Sequence, residues 1–469
     1  MIGIESATSL SLLASTILQI EAAVIGLYVL FSIFTAWRIQ FDASVIMPRL
    51  PFTRGFIFIA LLALWGVFSV SLGFSQNLIA LEIAMTLILS ALHPALSIGF
   101  FLLFLFLRPW EIADDGSAIY KLLPRGLAFA AIISSVFYLV RARAMTFRFG
   151  PLVYLLFAFS LWTFLSTFKS PNPGEAQAIY FDLFFKSVIL FLLITQAIRD
   201  EVGLRILKGA LIFAAFGLSV IAIYRTLLLG AGSRLESFGL LADPNDISAV
   251  MVLVFPYAIY TIRRRDPSLF LRIVSGLLIF SSLVLFYYAK SRGAVVAMLV
   301  MIATMALIRM KNKKAAVIGG LIALMLFVPI SSQFKRSDSD LSESTESRVI
   351  YWKTGVIMAI YSPVFGVGFN GYPANFERYA PKFIETGLRT AHSSWFLALA
   401  ETGFIGFGLF LSLYIWALRA AWRFRELEPD IFFSTVGYGV AMSFLSHTYS
   451  IYFYIMLAMV FVASRLKKA

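Results

Sequence analysis

Few residues in this chain could do chemistry, and the clearest is a histidine. His392 stands in Ala391-His392-Ser393-Ser394-Trp395, ahead of Leu399-Ala400-Glu401-Thr402-Gly403-Phe404-Ile405-Gly406. It opens a long apolar run directly after a polar loop. An imidazole, with an ordinary pKa of about 6.5, suits general-base work; the plainer reading is an interfacial side chain. Glu401 lies inside the apolar run, where a charge is costly and must face protein or water. It reads first as an interhelical hydrogen-bond partner and second as a functional acid.

Arginines supply the other candidates. Arg234 precedes Glu236, Phe238, Gly239 and Asp243-Pro244-Asn245-Asp246; Arg292 sits in Lys290-Ser291-Arg292-Gly293; Arg348 and Lys353 flank Trp352. A guanidinium binds phosphate through paired donors, so several on one face would suit a diphosphate at the bilayer surface. Taken singly, each arginine could instead snorkel to its own interface or pair with an acid such as Glu236.

Other chemistry is poorly supported. His93, in a His-Pro hairpin, and His447, in a Ser-His-Thr-Tyr turn, read as structural. No His or acid pair has metal-ligand spacing on an external helix; Asp338 and Asp340 come nearest, in a Ser-rich run. No metal or cofactor is expected. There is no phosphate loop, nucleophile elbow or cytosolic Asp-x-Asp pair, and Gly366-Val-Gly368-Phe-Asn370-Gly371 is too loop-like for a nucleotide fingerprint. With no cysteine, disulfides, thiol catalysis and thiolate metal sites are excluded.

The elements that position these groups must be membrane helices. Of the 469 residues, 60% are hydrophobic and 14% charged, with a mean hydropathy of +0.88. That excess along the whole length means many spans. The first apolar stretch is too long for a signal-peptide core and lacks a basic start, so it reads as a retained span. Apolar runs fall near 12–36, 55–74, 79–107, 125–140, 151–168, 179–197, 206–229, 247–262, 273–290, 293–309, 315–330, 393–418, 431–446 and 449–464. The fold expected is an all-α polytopic integral membrane protein of about 12–15 transmembrane helices, with one large, partly helical loop.

The net charge of +14 falls in short clusters between apolar runs, which marks cytoplasmic loops rather than a nucleic-acid surface. Placing Arg141/Arg143/Arg148, Arg263–Arg265, Arg309–Lys314, Arg419/Arg423/Arg425 and Arg465/Lys467/Lys468 inside puts the loops at 169–178, 230–246, 291–293 and 331–391 outside, with a cytoplasmic C-terminus. The named arginines and His392 then share the outer face. Run 79–107 exceeds one span, and His93-Pro94 at its centre favours a hairpin. The organisation expected is N-terminal helices over 1–330, the large loop over 331–391 and C-terminal helices over 392–469.

With those residues in place, the chain resembles the O-antigen ligase and O-antigen polymerase superfamily of bacterial envelope glycosyltransferases. Such ligases carry His followed by Asn, Ser or Gln, nine residues, then Gly-x-x-Gly. Here His392-Ser393 is followed by Ser394–Thr402 and Gly403-Phe404-Ile405-Gly406. Arg348-Val-Ile-Tyr-Trp352, Ser362-Pro363-Val-Phe-Gly366-Val-Gly368, Arg234 with Asp243-Pro244-Asn245, and Ser291-Arg292-Gly293 are similar to further family motifs. His-Ser in place of the commoner His-Asn is a mild departure.

The resemblance implies a GT-C-like enzyme that needs no metal or nucleotide sugar. It would move a glycan from undecaprenyl diphosphate to an acceptor, lipid A-core or similar, at the periplasmic face of the bacterial inner membrane. His392 would orient or deprotonate the acceptor hydroxyl; Arg234 and Arg292 would hold the diphosphate, with Arg348, Trp352, Lys353, Asn245 and Ser393 assisting in binding. The closest alternative is a polymerase joining lipid-linked repeat units, and an intermediate one glycosylates exported proteins. A transporter or flippase would show repeats or mid-membrane charges, and neither is evident here.

Overall fold

The structure, a computed structural model, describes residues 93–108, 118–141, 146–228, 235, 243–264, 268–310, 314, 345–381 and 389–467, with scattered helical positions in 16–31. All regular structure among these residues is helical: α1 (Pro94–Leu107), α2 (Ala118–Arg141), α3 (Pro151–Thr167), α4 (Pro173–Ile179), a π-turn (Tyr180–Phe185) into α5 (Lys186–Ala197), α6 (Glu201–Leu228), α7 (Pro244–Arg263), α8 (Leu269–Ala289), α9 (Arg292–Arg309), α10 (Thr345–Tyr361), α11 (Tyr372–Tyr379), α12 (Ser394–Arg423), α13 (Pro429–Ala441) and α14 (Ile451–Leu466). Among the described residues, six stretches are long and apolar enough to cross a membrane: Pro173–Ala197, α6, α7, α8, α9 and α12. The chain is an all-α polytopic membrane protein. The runs expected at 55–74 and 315–330, and the 79–92 part of the hairpin, lie outside the described residues.

The chain divides into two compact units, the first made of Met1–Thr146, Ala197–Asp243 and Thr261–Tyr288. In it α1 packs on α6 and α2, with buried serines meeting between helices: Ser97 and Ser134 at 3.0 Å, Ser219 and Ser281 at 2.7 Å. His93 works here as a helix cap. Its Nδ1 accepts the Ala95 N–H at 3.1 Å, so Nε2 carries the proton toward Asp200 at 3.0 Å. Asp200 in turn accepts the Gly203 N–H at 2.6 Å in the first turn of α6. Burial would raise the Asp200 carboxyl, but the His93 contact and backbone donors outweigh it and hold it below its ordinary value.

The second unit comprises Phe147–Gln196, Pro244–Tyr260 and Ala289–Ala469. Helix α12 is its axis, packed by α3, α10, α13 and α14, while α9 packs on α13. This axis breaks at Gly403, whose φ of 67° and ψ of −171° suit only glycine; an added Cβ would meet the Pro363 and Val364 carbonyl oxygens at 2.5 Å. A break within a span frees backbone groups that lipid cannot satisfy. Here Ala400 O accepts Val367 N–H at 2.8 Å, Glu401 O accepts Ser166 Oγ–H at 2.6 Å, and Thr402 O accepts Trp162 Nε1–H at 3.0 Å. Phe404 N–H donates to Pro363 O at 2.8 Å. The Gly-x-x-Gly motif is therefore a docking notch for the 363–372 segment. Glu401 belongs to the same joint: Oε1 accepts the N–H of Tyr372, the first residue of α11, at 3.2 Å, the interhelical hydrogen bond expected of it. Burial first, then Tyr351 and Glu401, push the Tyr372 phenol above its ordinary value.

The two ends of this unit differ. At one, Arg309 closes α9 and pairs with Glu426 at 3.5 Å, Lys467 pairs with Glu428 at 3.6 Å, and Arg465 donates to Phe149 O. The 18 residues of α9 then rise about 27 Å, close to the thickness of a hydrocarbon core, to Arg292 at the other end.

Candidate functional site

Three of the helices that begin at that other end within the second unit carry sequence motifs in their first turns. Pro244 opens α7 with its fixed φ suited to a first helical position, and this places Asn245 and Asp246 in the first turn. Ser291 caps α9, its side chain accepting Ala294 N–H at 3.4 Å, and Arg292 is the first helical residue. Ser393 is the extended cap residue of α12, and Ser394 begins it. The residue before each serine cap is left-handed: Lys290 at φ 51° and His392 at φ 45°. Such a φ is uncommon outside glycine and costs of order 1–3 kcal/mol. The same sharp turn thus introduces both motif helices.

Asn245, Ser291, Gly293 and Arg348 line one small pocket together with Ala441, Phe444 and Leu445. Arg348 comes from α10 and lies over the Phe444 ring at 6.0 Å. Gly293 is held tight: an added Cβ would meet Phe444 Cβ at 2.8 Å. The starts of α7 and α9 both contribute to this lining. Each brings the positive end of a helix dipole, and the guanidinium adds a full charge. Two helix N-termini and an arginine at one cavity give it a positive potential, which favours an anionic group.

His392 stands beside this pocket and outside its lining. Its ring faces Tyr351, centroid to centroid 5.6 Å, and Tyr351 lies three residues beyond Arg348 on α10. Trp352 stacks on Phe396 of α12 at 5.4 Å and 15°, fixing α10 against the helix that His392 introduces. Lys353 and Arg292 are exposed, while Asn245, Ser291 and Ser393 are buried. Arg234 lies outside the described residues; its neighbour Leu235 is buried and donates its N–H to Tyr288 O at 3.1 Å, within the first unit.

Two features at or near the pocket had no sequence signal. Phe444 belongs to a 3-10 turn (Met442–Phe444) inside an apolar stretch, where its type is unremarkable. His447 is buried and contacts Asp246 at 2.9 Å across a sequence separation of 201; only the fold joins them. Among the described residues, no group of three or more His or acidic side chains could hold a metal.

A helical, multi-pass membrane protein with an anion-type pocket at one end of a helix bundle is the class these observations define. Residues 276–411, from α8 into α12 with Arg292, Arg348 and His392, match the family model described as O-Antigen ligase, a likeness that supports the O-antigen ligase and polymerase superfamily. The family is one of glycosyltransferase-like membrane proteins. No curated protein matches the chain.

Proposed function

We propose that the protein transfers a glycan from undecaprenyl diphosphate to an acceptor hydroxyl at the periplasmic face, as an O-antigen ligase. The observation that carries this reading is the pocket shared by Asn245, Ser291 and Arg348, one arginine-lined anion site drawn from three separated motifs. Sidedness follows from charge: the paired basic end of the second unit is cytoplasmic, which puts the pocket end outside, where lipid-linked glycans are presented.

In this mechanism His392 takes the proton from the acceptor hydroxyl. The acceptor oxygen forms a bond to the anomeric carbon as the bond from that carbon to the diphosphate oxygen breaks, with inversion. Undecaprenyl diphosphate departs with the bonding electrons. Its growing negative charge is met by Arg234, Arg292 and Arg348 and by the helix N-termini, the electrostatic task worth most in such reactions. Asn245 and Ser393 orient polar groups, and Trp352 with Lys353 borders the acceptor side. This chain's own residues supply base and charge, with no metal or cofactor assigned.

The test is a lipid and glycan profile of cells carrying His392→Ala. Transfer falls by about 10²–10⁴-fold, the range for a lost general base, and long glycans accumulate on undecaprenyl diphosphate. Accumulation of single repeat units would make the chain a polymerase. An unchanged profile overturns the assignment of His392.

A further inference from the structure

His447 belongs to neither the histidine motif nor the pocket lining, yet it is bonded to elements that carry both. Its Nε2 lies 2.9 Å from Asp246 Oδ1 and its Nδ1 2.9 Å from the Tyr438 hydroxyl. The ring thus bridges the two side chains, with Asp246 on its Nε2 edge and the Tyr438 hydroxyl on Nδ1. The backbone of the same residue is held too. Its N–H donates to Ser394 Oγ at 2.9 Å, and Ser394 Oγ–H donates to Leu445 O at 2.7 Å. The Thr448 hydroxyl donates to Ser394 O at 2.7 Å.

Each partner leads to the site. Asp246 follows Asn245 in the first turn of α7. Tyr438 precedes the pocket residue Ala441 by three positions and so shares its face of α13. Ser394 begins α12 two residues after His392, and its hydroxyl holds the backbone of the pocket residue Leu445. A buried imidazole that served packing alone would need one hydrogen-bond partner on each nitrogen. It would not need those partners to be the starts of two motif-bearing helices.

We infer that His447 is a positioning residue for the transfer: the Asp246–His447–Tyr438 chain, locked to Ser394, fixes the α7 and α12 starts relative to one another, and so sets Asn245 at its distance from His392. This rests on the pocket being the diphosphate site. The role concerns the donor, because Asn245 lines the pocket and His392 is held through its own helix. Displacement of a positioned group by about 1 Å costs about 10²-fold in rate where orientation matters, so small shifts are measurable.

The test uses the full chain in phosphatidylethanolamine–phosphatidylglycerol proteoliposomes, with an undecaprenyl-diphosphate-linked glycan and its acceptor varied separately. For His447→Ala the donor KM rises about tenfold, the scale of one lost hydrogen bond to a charged group, while the acceptor KM stays within about twofold. His447→Gln, whose amide still donates to Asp246, recovers the donor KM to within about threefold. Asp246→Asn gives the same donor-side rise if His447→Ala fails to fold. Variants that lower only the amount of folded protein, with both KM values unchanged per folded molecule, overturn the inference. A second readout is independent of transfer: the chain has no cysteine, so Asn245→Cys offers one alkylation site. Maleimide labels it at least fivefold faster when His447→Ala or Asp246→Asn is added, an effect that opening of a locally held turn produces. Equal labelling overturns the positioning role even if His392→Ala shows that the reaction itself was misread.

Discussion

The two ends of the second unit obey opposite rules. At the basic end, cations sit where helix dipoles favour them: Arg309 in the last turn of α9, Arg423 of α12 and Arg465 of α14, with Glu426 and Glu428 as partners. At the pocket end, Arg292 occupies the first position of α9, against the dipole, and Lys290 and His392 hold left-handed backbone. The basic end is built for stability and topology. The pocket end tolerates unfavourable charge placement and strain, which persist only where the surrounding structure enforces them, and which cluster at functional sites.

Neutralising a cation at each end sharpens this difference. Arg292→Gln removes a charge from the positive end of a dipole, so its helix is stabilised by about 0.3–1 kcal/mol. Transfer falls by about 10²–10³-fold if the guanidinium meets the departing diphosphate. Thermal unfolding in detergent and a transfer assay on the same preparation read both. A variant that loses stability and keeps activity would mean that Arg292 is an ordinary interfacial cation.

Much of this asymmetry was legible in the sequence, and the reasons for the rest are physical. The basic clusters and apolar runs showed which helix ends belong together, because charge and length are additive along the chain. The Gly-x-x-Gly spacing marked residues 403–406, but not what they do. That Gly403 breaks α12 to receive Val367 and Pro363 depends on a segment 36 or more residues away in sequence, and periodicity carries no such information. Reading Glu401 as an interhelical hydrogen-bond partner holds, because the N–H it accepts is that of Tyr372, the first residue of α11. His93 was legible as structural from its Pro94 neighbour alone. His447 was read in the same way, and nothing local distinguished it: its partners Asp246 and Ser394 stand 201 and 53 residues away.

Strain at the pocket end gives the next test. His392→Gly abolishes the base but relieves the left-handed backbone, a gain of about 1–2 kcal/mol set against a glycine entropy cost of about 0.5–1 kcal/mol. Its unfolding temperature is unchanged or raised while transfer is lost. A fall of several degrees would instead make His392 a packing residue whose contact with Tyr351 holds α10 in place.

The smallest effect belongs to the basic end. Arg309→Gln removes a cation from the last turn of α9 and its pair with Glu426, whose two side chains are 41% and 61% exposed. Water screens a pair of that kind, and its worth together with the dipole is about 0.3–1 kcal/mol. The variant loses that much stability, the loss shrinks in high salt because exposed charges are screened, and transfer per folded molecule is retained. Arg292 and Arg309 lie at the two ends of one helix, so opposite signs for stability in the two variants isolate dipole placement from any general effect of removing charge. Equal losses at both ends would show that α9 is stabilised by charge at either terminus, and the division between a stabilising end and a working end would not hold.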